Sequence, residues 1–293
     1  MTVEVLVNPG GGSADEKRRE ALCAALSAAG IDAKLVEVEG EDLADHAAKV
    51  AKRGDKLLVA AGGDGTMSAV AGALAGTDTA MGVMPMGTLN HLARDLGIPF
   101  DLDEAAKVLA AGKTRAIDLA ELNGRTFVNN SAIGLYPLMV VDRDTQTKRL
   151  GRSKRLAMLV ASLRTLANFH DERLRLRVND DKEGRLDTPL LFVGNNDYRL
   201  AFPAAGQRES LDDGKLCVLV MRKKGAFGLI AATFRALLGI TREDDMIHLD
   251  DVERLEVMSS RAHLTVSLDG ETCRFKPPLD YRIRRGALTV VAP

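Results

Sequence analysis

Over residues 1–125, short apolar runs alternate with stretches of helical spacing, the pattern of a parallel sheet flanked by helices. Val3 to Val7 reads as a strand and runs into NPGGGS. Ser13, with Glu16 three residues later, forms a capping box, which predicts a helix burying Leu22, Ala25 and Leu26. Ala33 to Val38 is a second strand, Asp42 to Lys52 a helix, and Lys56 to Ala61 a third strand ending in GGDGT. Ala80 to Pro85 is a fourth. The stretch GTLNHLARDLGIP then predicts a short helix stopped by Gly97 and Pro99, followed by a helix over Leu102 to Ala111.

Beyond Thr114 the rhythm changes. Arg115 to Leu122 and Arg125 to Asn129 read as paired strands around Asn123-Gly124, a hairpin dipeptide. The expected division is a domain over 1–125 and a β-rich domain over 126–293, whose C-terminal end is free to return to the first. Strands are expected at Arg173 to Val178, Pro189 to Gly194, Lys215 to Arg222, Met246 to Leu249, Arg254 to Met258, Ala262 to Leu268, Tyr281 to Arg284 and Ala287 to Val291. Their spacing suggests an antiparallel sandwich or barrel. Two amphipathic helices interrupt them, over Ser153 to Phe169 and Ala226 to Leu238. The fold class is therefore α/β, with an N-terminal parallel-sheet domain and a C-terminal β-rich sandwich.

Length agrees with this division, because 293 residues suit two domains. With 40 basic against 41 acidic residues the net charge is -1, so nothing global points to nucleic acid. The scattered cysteines, Cys23, Cys217 and Cys273, form no C-x-x-C pair and read as reduced core residues of a cytoplasmic protein. The opening MTVEVLVNPGGG has neither the basic nor the apolar region of a signal peptide. No apolar run reaches the ~18 residues of a spanning helix. His46, His170, His248 and His263 show no metal-ligand spacing and read as surface or core residues.

The chemistry lies in the glycine clusters, each of which follows a strand. In an open α/β sheet ligands bind beyond the carboxyl ends of the strands, so NPGGGS, GGDGT and PMGT are expected to converge on one rim. Glycine lets backbone N–H groups approach an anion, and a helix N-terminus adds partial positive charge, so the expected ligand is a polyphosphate. Neither a Walker A sequence nor the G-x-G-x-x-G spacing is present. GGDGT instead places an acid, Asp64, among the phosphates, where it needs an intervening cation, and Mg²⁺ is the natural one. The alternative is that Asp64 fixes the turn through an Asx bond.

Taken together, NPGGGS at Asn8 to Ser13, GGDGT at Gly62 to Thr66, PMGTLN at Pro85 to Asn90 with ARDLGIP after it, and DGE at Asp269 to Glu271 resemble the diacylglycerol kinase catalytic-domain family, in particular the bacterial lipid kinases. GGDGT alone is shared with NAD kinases. The resemblance implies an ATP site in a cleft between an α/β domain and a β-rich domain. It implies that Asn8, Pro9, Gly10 and the run Gly62, Gly63, Asp64, Gly65, Thr66, Met67 and Ser68 hold the triphosphate. Gly87, Thr88 and Asn90 would line the nucleotide, and Asp64 would act on Mg²⁺. Asp269 is then the expected base on the acceptor hydroxyl and Glu271 its metal or orienting partner, whereas without the resemblance Asp-Gly reads as a turn.

Two positions depart from the family. His91 stands where an acid usually follows GT-x-N, and imidazole is a poor Mg²⁺ ligand. In SLDDGKL, Asp213 and the Lys215 carbonyl match the family's structural metal loop, but Ser210 replaces a frequent carboxylate, and an ordinary turn accounts for the segment equally well. The expected activity is transfer of the γ-phosphoryl group of ATP to a lipid hydroxyl, diacylglycerol-like, with Mg²⁺. The alternatives are a soluble NAD kinase-like enzyme and a low-turnover nucleotide-binding membrane regulator. The expected partners are ATP, a lipid alcohol and an anionic membrane touched peripherally from the cytoplasm. Basic residues Arg149, Arg152, Lys154 and Arg155, and Arg222, Lys223 and Lys224, precede the two amphipathic helices and would meet that membrane. A homodimer is left open.

Overall fold

Val3–Val7 forms β1, and its residues pair in parallel on one side with Ala33–Glu37 (β2) and on the other with Leu57–Gly62 (β3). Ala80–Pro85 (β4) adds the next parallel strand, in register from Leu57↔Ala80 to Gly62↔Pro85. In this computed structural model, residues 2–9, 16–134, 171–181, 183–198, 207–208, 210–222 and 246–293 are described. They fall into two units. The first comprises Met1–Leu119, Ser210–Asp213 and Arg284–Pro293, and the second Ala120–Glu209 and Gly214–Ile283.

The first unit is the expected parallel sheet with helices. Helix α1 (Glu16–Ala28) buries Leu22, Ala25 and Leu26, the three residues that its spacing predicts. Helix α2 (Leu43–Lys52) buries Leu43, Ala47 and Val50 along one stripe. The apolar pattern names no element over Asp64–Leu74, where the structure has α3. Gly65, Gly72 and several alanines lower the contrast between its faces, and Thr66, Met67, Val70, Ala71 and Leu74 are all buried. The short α4 (His91–Asp95) and α5 (Leu102–Ala111) follow. The side chain of Asp101 caps α5 by accepting from Asp103 N and Glu104 N, and Gly112 ends it at φ +65°. The sheet gains the end of the C-terminal strand Leu279–Val291, where Val290 pairs in parallel with Met81.

The second unit is β-rich. Ordered along the chain, its strands are the end of β5 (Thr114–Leu122), β6 (Arg125–Phe127), β7 (Asn130–Gly134), β8 (Glu172–Val178), β9 (Gly184–Thr188), β10 (Leu190–Asn195) and β11 (Leu216–Met221). Then come β12 (Met246–Val252), β13 (Arg254–Ser259), β14 (Leu264–Leu268), β15 (Glu271–Phe275) and the start of β16 (Leu279–Val291). One antiparallel sheet has the order β12-β11-β10-β7-β14-β15. Against it lie β8, β9, β13 and the start of β16, and alternate residues of the two layers share one core that includes Phe127, Leu191, Val257 and Tyr281. Tyr281 is fully buried, and its hydroxyl meets Ser131 Oγ at 2.9 Å. Burial pushes the Tyr281 phenol far above its ordinary value, with the Ser131 bond opposing weakly.

Several expected strands differ in extent. Tyr281 to Arg284 and Ala287 to Val291 are one strand, which passes through Gly286 at φ +57° without breaking. The strand expected over Arg125 to Asn129 ends at Phe127, and the chain enters the other sheet at Asn130. Strands β9 and β15, polar and at sheet edges, carry no clear alternation. The helices expected over Ser153 to Phe169 and Ala226 to Leu238 lie outside the described residues. Among the described residues, no helix is long and apolar enough to cross a membrane. Cys23, expected in the core, is exposed on α1.

Candidate active site

Two glycine loops meet at the carboxyl ends of β3 and β4. A Cβ on Gly87 would stand 2.5 Å from Gly63 Cα and 2.7 Å from Asn90 Oδ1, so the two backbones touch where only glycine fits. Asn90 closes the second loop. Its Oδ1 accepts from Gly87 N at 2.9 Å, its Nδ2 donates to Gly87 O at 3.1 Å, and its own backbone sits at φ +49°. Asp64 then ties the loops together, because its Oδ1 accepts from His91 N at 2.7 Å. Any residue but proline at 91 supplies that N–H, so the bond does not depend on the imidazole.

Helix α3 begins directly at this junction. Gly63 is its N-cap and carries no side-chain cap, and the first helical bond runs from Met67 N to Gly63 O at 3.0 Å. The N–H groups of the first turn and the helix dipole therefore present partial positive charge beside the Gly87 loop. Thr66 is buried, with its hydroxyl turned over Gly62. Met67 is 3% exposed, a core side chain whose N–H is already committed to Gly63. Ser68 is half-buried one step further into the helix. Asn8 and Pro9 follow β1, whereas Gly10 and the rest of NPGGGS lie outside the described residues.

A pocket of about 290 Å³ opens beside the Gly87 loop, lined by Arg18, Pro85, Met86, Gly87, Thr88, Asn90, Phe100 and Leu102. Thr88 is exposed in it. Three of its residues carry no motif and were not legible as site residues: Arg18 on α1, which donates to Met86 O at 3.2 Å, Phe100, which is 52% exposed, and Leu102. An exposed phenylalanine beside a basic side chain suits a flat ring linked to phosphates.

DGE is in the second unit, as the tight turn joining β14 to β15. Asp269 and Gly270 both have positive φ, +46° and +86°, the arrangement of a type I′ hairpin. The Asp269 side chain does more than turn the chain. Its Oδ2 accepts from Val128 N at 2.8 Å, and its Oδ1 accepts from Asn129 N at 2.8 Å and Asn130 N at 3.0 Å. The same three-residue segment is held from elsewhere, since Val128 O accepts from Asn195 Nδ2 and Arg208 Nη1, and Asn129 O from the Tyr198 hydroxyl. Arg208, buried at 7% exposure, and Asn195 are thus part of the scaffold, and no sequence signal marks Arg208. Glu271 is exposed and pairs with Arg125 at 3.2 Å.

The SLDDGKL segment is divided between the units. Leu211 O accepts from Asp118 N at 2.7 Å in the first unit. Ser210 Oγ and the Asp212 carboxylate bond to each other, and Asp212 N donates to Ser210 Oγ at 3.0 Å, a local turn. Asp213 is exposed. Lys215 belongs to the second unit, where its carbonyl accepts from Asn196 N and its ammonium pairs with Asp197 at 2.7 Å.

The comparisons with known proteins agree with the motifs. Residues 2–122 match the family model described as the diacylglycerol kinase catalytic domain. The chain is similar to a diacylglycerol kinase of Bacillus subtilis (strain 168), with 31% identity over 233 residues that cover 78% of this chain and 75% of the relative. A solved diacylglycerol kinase from Bacillus anthracis str. Sterne superposes with a TM-score of 0.70 at 20% identity, covering 100% of this chain and 97% of that one. An NAD kinase from Archaeoglobus fulgidus, solved in complex with ATP, gives a TM-score of 0.53 at 14% identity, covering 99% and 93%. The two structures speak to the fold, an α/β part with a β-rich part. The relative at 31% identity, matched over more than two thirds of its length, speaks to descent, and this chain belongs to the diacylglycerol kinase catalytic-domain family, in its bacterial branch.

Proposed function

We propose that this chain is an ATP- and Mg²⁺-dependent lipid kinase that moves the γ-phosphoryl group to a diacylglycerol-like hydroxyl. Family membership makes it a phosphotransferase with an alcohol acceptor. The observation that carries the nucleotide assignment is the α3 N-terminus, free of any side-chain cap and in backbone contact with the Gly87 loop. Such an end stabilises a phosphate through N–H groups and the helix dipole. Asn8, Pro9, Gly10 and the Gly62–Ser68 run would hold the triphosphate, chiefly through backbone, because Thr66 and Met67 are buried. Gly87, Thr88 and Asn90 would line the nucleotide, with Asn90 acting by shaping its loop.

The donor chemistry suits a Mg²⁺ that arrives with its nucleotide. Asp64 offers a carboxylate at the loop junction, and Mg²⁺ is commonly held by one or two carboxylates plus phosphates and water. Bound there, the ion would neutralise charge on the β- and γ-phosphates. At the SLDDGKL loop, Asp213 would offer a metal one exposed carboxylate and Lys215 a carbonyl that keeps a lone pair beside the Asn196 N–H. No step is assigned to a metal at those residues.

Asp269 is proposed to take the proton of the lipid hydroxyl. Three N–H bonds fix the direction of its carboxylate, as a base must be fixed to meet an incoming hydroxyl. Glu271, paired with Arg125, would orient or balance charge beside it. Lipid access is proposed to come by peripheral docking from the cytoplasm, through the basic and apolar stretches around 149–169 and 222–238. The test is incubation with labelled ATP, Mg²⁺ and total bacterial lipid, followed by mass analysis. A new phosphorylated lipid that disappears with a chelator supports the reading, and label confined to the aqueous phase overturns it.

A further inference from the structure

Away from the glycine loops and the DGE turn, the second unit gathers three metal-binding side chains of different chemistry. Cys217 lies on β11, His248 on β12, and Asp197 just after β10, and a donor atom from each falls within 4.8 Å of the other two. Local structure explains the meeting. Leu219 pairs with His248 across the strands, and the register slips between Leu216 and Val218, opposite Asp251 at φ +53°. Such an irregularity re-aims side chains at a sheet edge. The bridge between Asn196 and Leu216 brings the residue after it, Asp197, to the same end.

The separations suit one small ion. His248 Nε2 is 3.6 Å from Asp197 Oδ1 and 3.9 Å from Cys217 Sγ. Ligands at tetrahedral angles around zinc, with bonds of about 2.0 Å to nitrogen and oxygen and 2.3 Å to sulfur, stand roughly 3.3–3.6 Å apart. Both histidine separations lie within a few tenths of an ångström of these values, and the third pair of donor atoms is within 4.8 Å. The other carboxylate oxygen of Asp197 pairs with Lys215 Nζ at 2.7 Å, which orients Oδ1 toward the histidine. On the far side of the ring, Asp250 Oδ1 lies 3.6 Å from His248 Nδ1, within a small rotation of the outer bond that metal-bound imidazoles usually make.

We propose that Asp197, Cys217 and His248 form a binding site for a borderline divalent transition metal of the zinc class, with water in the fourth position. A thiolate and an imidazole are ligands that zinc takes and Mg²⁺ avoids, while the carboxylate serves either ion, so the sulfur and nitrogen donors separate this site chemically from the nucleotide's cation. The ion and Lys215 together offset the Cys217 thiolate and the Asp197 and Asp250 carboxylates, so the cluster is neutral as a whole. Cys217 is fully buried, and burial pushes its thiol up to about 11, partly opposed by the Tyr198 backbone N–H. Without a metal it is therefore a protonated core residue and no nucleophile. The metal would clip edge strand β12 to β11 and to the turn after β10. Gly194 pairs with both Cys217 and Asn130, and Asn130 O accepts from Asp269 N. The clip thus lies three strands, about 14 Å, from the proposed base along one row of the sheet.

The test uses the full-length protein freed of metal, titrated with Co²⁺ as a spectroscopic probe and then with Zn²⁺. One equivalent of Co²⁺ is expected to give an intense thiolate-to-metal absorption band that Zn²⁺ abolishes. Cys217→Ser should lose the band. Because Cys217 is in the core, that variant can fail to fold, and Asp197→Asn and His248→Gln, both at partly exposed side chains, keep the question open to decision. Each should weaken Co²⁺ binding by about tenfold or more while melting like the wild type without metal. Absence of a thiolate band in the wild type, or unchanged affinity in both partly exposed variants, overturns the proposal.

Discussion

Replacing Asp269 with asparagine is expected to damage the fold of the second unit as well as the proposed base chemistry. The carboxylate accepts three backbone N–H groups at 2.8, 2.8 and 3.0 Å. Bonds to a charged acceptor contribute about 1.5–3 kcal/mol each, against about 1 kcal/mol for neutral pairs. Asparagine keeps one oxygen for Asn129 and Asn130 at neutral strength. It turns an amide N–H toward Val128 N, a donor left facing a donor in a residue only 1% exposed. Two weakened bonds and one orphaned donor sum to about 3–5 kcal/mol, a fall in melting temperature on the order of 10 °C. Thermal unfolding, together with amide exchange at Val128, Asn129 and Asn130, measures it directly. Glu271→Gln is the control, expected within about 0.5 kcal/mol because Glu271 is 69% exposed. An Asp269→Asn protein that melts like the wild type, with unchanged exchange at the three amides, would refute the anchoring role. Loss of about 10² to 10⁴ in turnover, assayed well below its melting point, would then rest on base chemistry alone.

Gly87→Ala is expected to force the two glycine loops apart, since its Cβ would lie 2.5 Å from Gly63 Cα; overpacking of this kind costs about 1–3 kcal/mol. Calorimetry should show ATP binding weakened at least tenfold, and unaltered binding would remove the loop contact from the account. Asp64→Asn keeps an oxygen for His91 N and should raise the Mg²⁺ requirement with apo stability within about 1 kcal/mol, whereas Asp64→Ala also loses the loop tie and should melt lower. Equal Mg²⁺ dependence in wild type and Asp64→Asn counts against the cation role. Burial raises the Asp280 carboxyl, but bonds from Arg282 and Arg254 outweigh it and hold the group below its ordinary value near 3.8. A depressed acid contributes stability above that value and loses it as pH falls through the folded one. Urea unfolding should therefore find Asp280→Asn about 1 kcal/mol less stable than wild type at pH 7, with the difference shrinking below about pH 4. A difference that grows on acidification would contradict that sign.

Much of the first unit was legible because its elements bury one face or both. Leu22, Ala25 and Leu26 are buried at the spacing that their helix predicts, and Ala80–Pro85 is a strand over the expected residues. What escaped had weak contrast. Helix α3 is built from small residues and glycines, so its buried stripe does not stand out. Strands β9 and β15 are edge strands whose exposed charges hide their period. At the site, glycines revealed the loops because backbone-to-backbone approach demands them, as at Gly63 and Gly87. Phe100 and Arg208 act through exposure and burial respectively, which spacing does not encode. Asp197, Cys217 and His248 are likewise separated along the chain and meet only through strand register.

The central claim is that the phosphoryl group goes to a lipid. Its most direct test compares, in one preparation with labelled ATP and Mg²⁺, kcat/KM for diacylglycerol in mixed micelles with kcat/KM for NAD in solution. A lipid preference of a hundredfold or more, about 2.7 kcal/mol of transition-state discrimination, is the predicted result. Phosphorylation of NAD with diacylglycerol untouched would contradict it.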